Sequence, residues 1–222
     1  MRIIENLTRK AVLICFYITY CTLVLLFLAP SVLADFFTIT LVLLFYVDFI
    51  IDALLRHASE KAEFDREARL LVLSFFVHPV IIALGFYENI YLIKPFLSFW
   101  DSDLIAIIGL IIYVLMITLH LYARFIIGKF GTAVLVIEDD HELITSGPYA
   151  FVRHPIYTAA IIGWIGMGMA LRSVFVLILY GICYCWLWLH RANLEEKMLV
   201  EVFGEKYQEY MKKTKKIIPF LY

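Results

Sequence analysis

Charge is scarce in this chain, and so are the residues that punctuate loops: 18% of the 222 residues are charged, with 10 glycines and 6 prolines. A soluble domain carries about a quarter of its residues as Asp, Glu, Lys and Arg. The shortage, with 63% hydrophobic residues and a mean hydropathy of +0.87, excludes an ordinary soluble fold and leaves an integral membrane protein. Cysteine is confined to Cys15, Cys21, Cys183 and Cys185, all in apolar stretches. They lack the paired spacing and histidine partners of a zinc or disulfide framework, so they read as small packing residues and no metal is expected. No basic stripe marks a nucleic-acid partner. Repeats, Gly/Ser linkers and low-complexity tracts are absent, and two polar insertions are too short to fold alone. One domain over 1–222 is expected, with N-terminal helices in 1–127 and a C-terminal part in 128–222.

A helix needs roughly 20 apolar residues to cross the hydrocarbon layer. The windows that qualify are Ala11 to Leu33, Phe36 to Leu55, Leu70 to Ile93 and Leu104 to Ile127. Ile156 to Leu171 and Val174 to Leu189 are shorter and joined only by Arg172 and Ser173, which predicts a tight hairpin whose arms need not cross fully. The expected fold is therefore all-α, a membrane bundle of about six helices. Positive charge is retained on the cytoplasmic side. Lys94 and Arg172 alone fall in the connections on one side, and the other Lys and Arg residues fall in the N-terminal segment, 56–69, 124–155 and the C-terminal tail. Both termini and the polar segments are thus expected in the cytoplasm. The basic N-terminus and Val32-Leu33-Ala34 leave a cleaved signal peptide as an alternative, against which the long apolar run from Ala11 to Leu28 argues.

The first polar insertion, 56–69, reads as a solvated turn continuing into helix. In the second, 128–155, Gly128 and Gly131 punctuate, Thr132 to Ile137 is apolar and β-branched, and Glu138-Asp139-Asp140-His141 turns polar. Such a segment wraps instead of crossing. Gly147-Pro148 marks a turn, and His154-Pro155 marks a helix start, where proline's missing N–H goes unneeded. Tyr157, three residues after His154, shares nearly the same helical face. From Ala192 to Lys213, Leu194, Met198, Val202, Tyr207 and Met211 recur at helical spacing with Glu201, Glu205 and Glu209 elsewhere, which predicts an amphipathic helix.

Arg191 and Glu195, four apart, leave the last span at the same boundary as His154 and Tyr157. Ionisable groups gathered there are costly unless they serve a purpose. The arginine fork suits a carboxylate or phosphate, and a nearby glutamate can accept from an ammonium or a ribose hydroxyl. Each residue taken singly also fits a snorkelling anchor or a satisfied interfacial histidine. Asp48 with Asp52, His78, and His120 with Arg124 lie within spans, where pairing between helices is favoured over a part in a substrate cavity.

At these boundary residues the chain resembles the integral-membrane methyltransferases typified by isoprenylcysteine carboxyl methyltransferase, with phospholipid N-methyltransferases as close relatives. The matching residues are His141 to Tyr149, Arg153-His154-Pro155-Ile156-Tyr157, Arg191 with Glu195-Glu196, Phe203 to Tyr207, and Pro219. The resemblance implies S-adenosyl-L-methionine as methyl donor. His141, Leu143, Ile144 and Tyr149 match the family's cofactor-contacting loop, and His154, Pro155, Ile156 and Tyr157 match its RHPxY cofactor motif. Glu195 matches a glutamate at the cofactor, and Arg191 an arginine at the substrate, so both are catalytic candidates. The partner implied is a lipophilic or lipidated molecule whose carboxylate accepts the methyl, with a phospholipid amine or a thiol as alternatives. A nicotinamide-dependent reductase of the sterol type is an alternative from another class. A transporter, which would place polar groups near mid-membrane, fits the clustering less well.

Overall fold

The computed structural model describes residues 2–55, 66–131 and 141–218. Most of the 56–69 turn, the stretch from Thr132 to Asp140, and Pro219 lie outside the described residues.

The chain begins with α1 (Arg2–Leu28). It was expected to run to Leu33, but Pro30 has no N–H to continue the ladder and biases Ala29 away from helix. A 3-10 turn, Pro30–Ala34, follows instead. In α2 (Phe36–Leu55), the Asp35 carboxylate caps the start by accepting from the Thr38 N–H at 2.8 Å. The third helix, α3 (Arg66–Glu88), runs on through a π turn, Asn89–Ile93. In α4 (Asp103–Ile127), the Ser102 hydroxyl accepts from the Leu104 N–H and Gly128 stops the helix at φ +55°.

The expected hairpin forms with unequal arms. The first, α5 (Pro155–Ala170), has 16 residues and starts on Pro155, and at 1.5 Å per residue it is about 24 Å long. The second, α6 (Val174–Phe203), runs 30 residues through a π turn at Tyr180–Tyr184. The amphipathic helix expected from Ala192 to Lys213 is therefore met in two pieces, the end of α6 and a short helix beyond it. No glycine or proline lies between Leu189 and Phe203, so nothing ends the helix at the membrane edge. The break comes at Gly204 (φ +54°), after which α7 spans Glu205–Lys213. Among the described residues, five helices are long and apolar enough to span a bilayer, and α5 is a shorter apolar one.

Side chains such as Phe27, Leu13 and Phe125 point outward, as lipid permits. The centre is aromatic. His78 is buried with its ring centroid 4.1 Å from Trp164 and 5.9 Å from Phe45, and its Nε2 lies 3.2 Å from the Tyr184 hydroxyl. Without a hydrophobic force between helices in lipid, small residues at contacts give the packing. Thus α4 and α5 meet backbone to backbone: a Cβ built on Gly109 would fall 2.4 Å from the Ala170 nitrogen, and one on Gly166 2.9 Å from the Gly109 oxygen.

One end of the bundle is bolted by Arg172, in the α5–α6 turn. Its guanidinium reaches Asp35 at 2.8 Å, Asp103 at 3.3 Å and Asp101 at 3.5 Å. Glu88 of α3 accepts from the Phe175 N–H at 3.0 Å and from the Ser173 hydroxyl, closing the start of α6. Two loops and the end of α3 are thereby tied to one connection.

The Gly109 contact predicts that Gly109→Val lowers stability in detergent by about 1–3 kcal/mol or more through overpacking. Gly181→Ala, at a position with nothing within 4 Å of an added Cβ, should leave the unfolding midpoint nearly unchanged. Thermal unfolding of both variants checks this; equal midpoints would contradict the close approach.

Candidate functional site

The candidate residues assemble at the other end of α5 and α6. His154 immediately precedes Pro155, whose ring fixes the first turn of α5. The backbone leading into it is held from the C-terminal side. Val152 and Lys215 form a parallel bridge, the Arg153 N–H donates to the Lys215 carbonyl at 2.8 Å, and the His154 N–H donates to the Lys216 carbonyl at 3.1 Å. The Thr158 hydroxyl donates to the Ile217 carbonyl at 2.6 Å. The segment after α7 therefore lies along the RHPxY motif as an outer wall.

Within that wall, His154 and Tyr157 stack with ring centroids 5.2 Å apart and planes 2° from parallel. The two nitrogens of His154 face adjacent carboxylates of α6: Nδ1 lies 3.6 Å from Glu195 Oε2, and Nε2 lies 3.3 Å from Glu196 Oε1. Burial pulls the His154 pKa down, but the two carboxylates outweigh it and hold the value above the usual histidine range. The Tyr157 hydroxyl donates to Glu195 Oε2 at 2.5 Å and accepts from Arg191 Nε at 3.1 Å. One phenol oxygen thus joins the arginine to the glutamate, and Glu195 keeps 28% of its side chain exposed.

Glu195 and Glu196 diverge because consecutive helical residues point about 100° apart. Glu196 is buried and accepts from Arg153 Nε at 2.7 Å and Lys216 Nζ at 2.8 Å. Arg153 also donates to the Met211 carbonyl at 3.1 Å and to the Thr214 carbonyl. Arg153, Glu196 and Lys216 form a clamp that the sequence reading did not separate from the site. The only signal was the doubled glutamate, of which one helical face can expose a single member.

The structure brings His154, Tyr157, Arg191 and Glu195 into one cluster. Pro155 is buried beneath it, and Ile156 turns towards a cavity described below. The other sequence candidates lie to one side. His141 packs between Phe130 (4.7 Å) and Phe203 (5.8 Å), while Leu143 and Ile144 are half-buried in an extended segment. Tyr149 is turned inward: its hydroxyl points at the Ala123 carbonyl at 3.5 Å, its own carbonyl accepts from the Tyr210 hydroxyl at 2.6 Å, and burial pushes its pKa well up.

A cavity of about 120 Å³ lies among α2, α4, α5 and α6, lined by apolar side chains and by Asp48, Asp52, His120, Arg124 and Trp188. The Trp188 ring is 4.8 Å from that of Tyr157, so the cavity adjoins the cluster. The expected pairing between spans is present: His120 Nδ1 lies 2.8 Å from Asp48 and Arg124 Nε 2.7 Å from Asp52. These same groups also face the cavity, the role that the sequence reading ranked second.

Residues 104–206 match the family model described as phospholipid methyltransferase. Among curated proteins, the chain is 37% identical over 82 residues to the protein-S-isoprenylcysteine O-methyltransferase of Schizosaccharomyces pombe, covering 37% of this chain and 35% of that one. It is 32% identical over 123 residues to the Homo sapiens protein of the same name, covering 53% and 42% respectively. The chain thus spans less than half the length of either relative. A solved structure of the eukaryotic intramembrane Ras methyltransferase, isoprenylcysteine carboxyl methyltransferase, superposes with a TM-score of 0.68 at 21% identity, over 96% of this chain and 75% of that one. That likeness shows a shared membrane fold. Together the matches support the isoprenylcysteine carboxyl methyltransferase family, the one that the RHPxY residues and the paired glutamates resemble.

The clamp yields a prediction separate from any chemistry. Glu196→Ala leaves Arg153 and Lys216 facing each other without their shared anion, and should cost about 3–5 kcal/mol of stability, as breaking a buried pair does. Glu195→Gln, at a more exposed position, should cost less than half of that. Unfolding in detergent, followed by intrinsic fluorescence, checks the order of the two.

Proposed function

We propose that this chain is an S-adenosyl-L-methionine-dependent methyltransferase whose acceptor is a lipophilic carboxylate, such as that of an isoprenylcysteine-like molecule. The observation that carries the reading is the Arg191–Tyr157–Glu195–His154 cluster, in which a cation suited to a carboxylate and an anion suited to an ammonium meet across one phenol. The curated relatives, named for this reaction, support it.

The donor set fits the methyl donor. Glu195, partly exposed, can accept from the donor's ammonium or ribose hydroxyls, and the half-buried His141, Leu143 and Ile144 would offer it ring and backbone contacts. Bound there, the donor supplies a methyl already activated on a sulfonium, so that an O–C bond forms as the S–C bond breaks and the electron pair returns to sulfur. The protein's share is alignment. Arg191 orients the acceptor carboxylate through its planar fork, and Tyr157 keeps that fork in register with Glu195. His154 lies between the two glutamates, one at each ring nitrogen, and ties the start of α5 to α6. An ionised carboxylate attacks without a general base, so no proton has to move. Holding the reactants in line in a water-poor site can supply about 7–11 kcal/mol.

This reading puts the acceptor on the cavity side of Trp188 and the donor towards His141, Leu143 and Ile144. The basic residues Arg153, Lys212, Lys213, Lys215 and Lys216 lie at this end and Arg172 at the other, which supports a cytoplasmic site under the positive-inside rule. The match to the phospholipid methyltransferase model favours a phospholipid amine as the second reading of the acceptor.

Calorimetric titration of the solubilised protein with S-adenosylhomocysteine should show saturable binding. Arg191→Ala should retain that affinity within about twofold yet lose transfer at least about a hundredfold, while Glu195→Ala should weaken binding about tenfold or more, the worth of a charge-assisted hydrogen bond. Binding of NADPH with none of S-adenosylhomocysteine would replace this reading with a reductase.

A further inference from the structure

Arg124 is buried at 5% exposure, near the end of a membrane helix, and carries two strong contacts in different directions. Its Nε meets the Asp52 carboxylate of α2 at 2.7 Å, and its Nη1 donates to the Gly131 carbonyl at 2.6 Å. Gly131 is built for that approach. A Cβ there would stand 2.7 Å from Arg124 Nη1 and 2.5 Å from the Ile127 side chain, so only glycine fits without displacement. Gly131 closes the Gly128–Phe130 turn, and the Phe130 ring packs on His141 at 4.7 Å. His141 in turn packs on Phe203, one residue before the Gly204 break. The ion pair is thus linked, through described contacts alone, to the seat of a residue placed at the donor.

Its other side faces elsewhere. Asp52 and Arg124 line the cavity, and His120 spans from Asp52 (3.5 Å) to Asp48 (2.8 Å) along the same wall. A charge pair buried in lipid is costly, and such pairs earn retention where they fix one arrangement among several. Here the arrangement fixed is that of the turn.

We infer that Arg124, held by Asp52, is a positioning residue for the methyl-donor site, acting through the Gly131 carbonyl and Phe130 on His141, and that the acceptor-side cavity and the donor site are coupled through this pair. The inference rests on the reading of the cluster as a methyltransferase site. Neither residue touches the reacting atoms. Lysine retains the charge but has no fork to reach carboxylate and carbonyl together. Coupling of this kind is reciprocal: whatever the pair does for donor affinity when the cavity is filled, donor binding does for the acceptor.

The test measures S-adenosylhomocysteine affinity in the full chain for wild type, Arg124→Lys, Asp52→Asn, Phe130→Ala and the Arg124→Lys/Phe130→Ala double variant. Arg124→Lys and Asp52→Asn should each weaken binding about tenfold with the binding stoichiometry unchanged, a split that a loss of folded protein would not give. The double variant should weaken binding little beyond either parent, because both act through one path. Unchanged affinity in the single variants, or losses that simply add, would overturn the inference while wild-type binding leaves the functional reading standing. Should Arg124→Lys not fold, Phe130→Ala and Asp52→Asn decide by the same tenfold criterion. Wild type that binds no S-adenosylhomocysteine overturns the functional reading, and this inference with it.

Discussion

A charge inside a bilayer has no water to turn to, and among the described residues each buried one is met by a partner from another helix or loop. That requirement organises the molecule. At one end Arg172 gathers Asp35, Asp101 and Asp103, fastening the loops around the α5–α6 turn. At the other, Glu196 gathers Arg153 and Lys216, and His154 sits between Glu195 and Glu196. Between them the middle of the bundle is left to aromatic rings and close glycine contacts, with His78 among Trp164, Phe45 and Tyr184. The polar ends set where helices begin and stop, and the apolar middle sets how near they come.

The division of labour between neighbouring residues follows from helix geometry. Glu195 and Glu196 are chemically identical, yet one faces the stacked His154–Tyr157 pair with part of its surface open while the other is enclosed by cations. A rigid clamp next to an accessible anion is a sound way to hold a reacting geometry, because binding energy is then not spent on ordering the site. The same logic applies to Tyr157, whose single hydroxyl is donor on one side and acceptor on the other and so fixes two charged side chains relative to each other.

Much of this was legible in the chain. Hydropathy marks the spans because a membrane helix must satisfy its own backbone, and the helix start at Pro155 follows from a local rule. His154, Tyr157, Arg191 and Glu195 are found together as their positions at one boundary suggested. The failures are physical too. The end of α6 was placed too early because the loss of hydropathy after Leu189 looks like an end, whereas only Gly204 breaks the backbone. The inward turn of Tyr149 depends on Tyr210 and Ala123, far from it in sequence, and no local pattern carries that. The clamp of Arg153 on carbonyls of Met211 and Thr214 is likewise a long-range event.

The parallel bridge between Val152 and Lys215 bears on how the protein is made. During synthesis residues 214–217 follow α5 and α6. Until those residues arrive, the N–H groups of Arg153 and His154 lack the carbonyls they use, Arg153 lacks the Thr214 oxygen, and Glu196 lacks Lys216. The geometry at the start of α5 is therefore complete only when residues 214–217 lie along it.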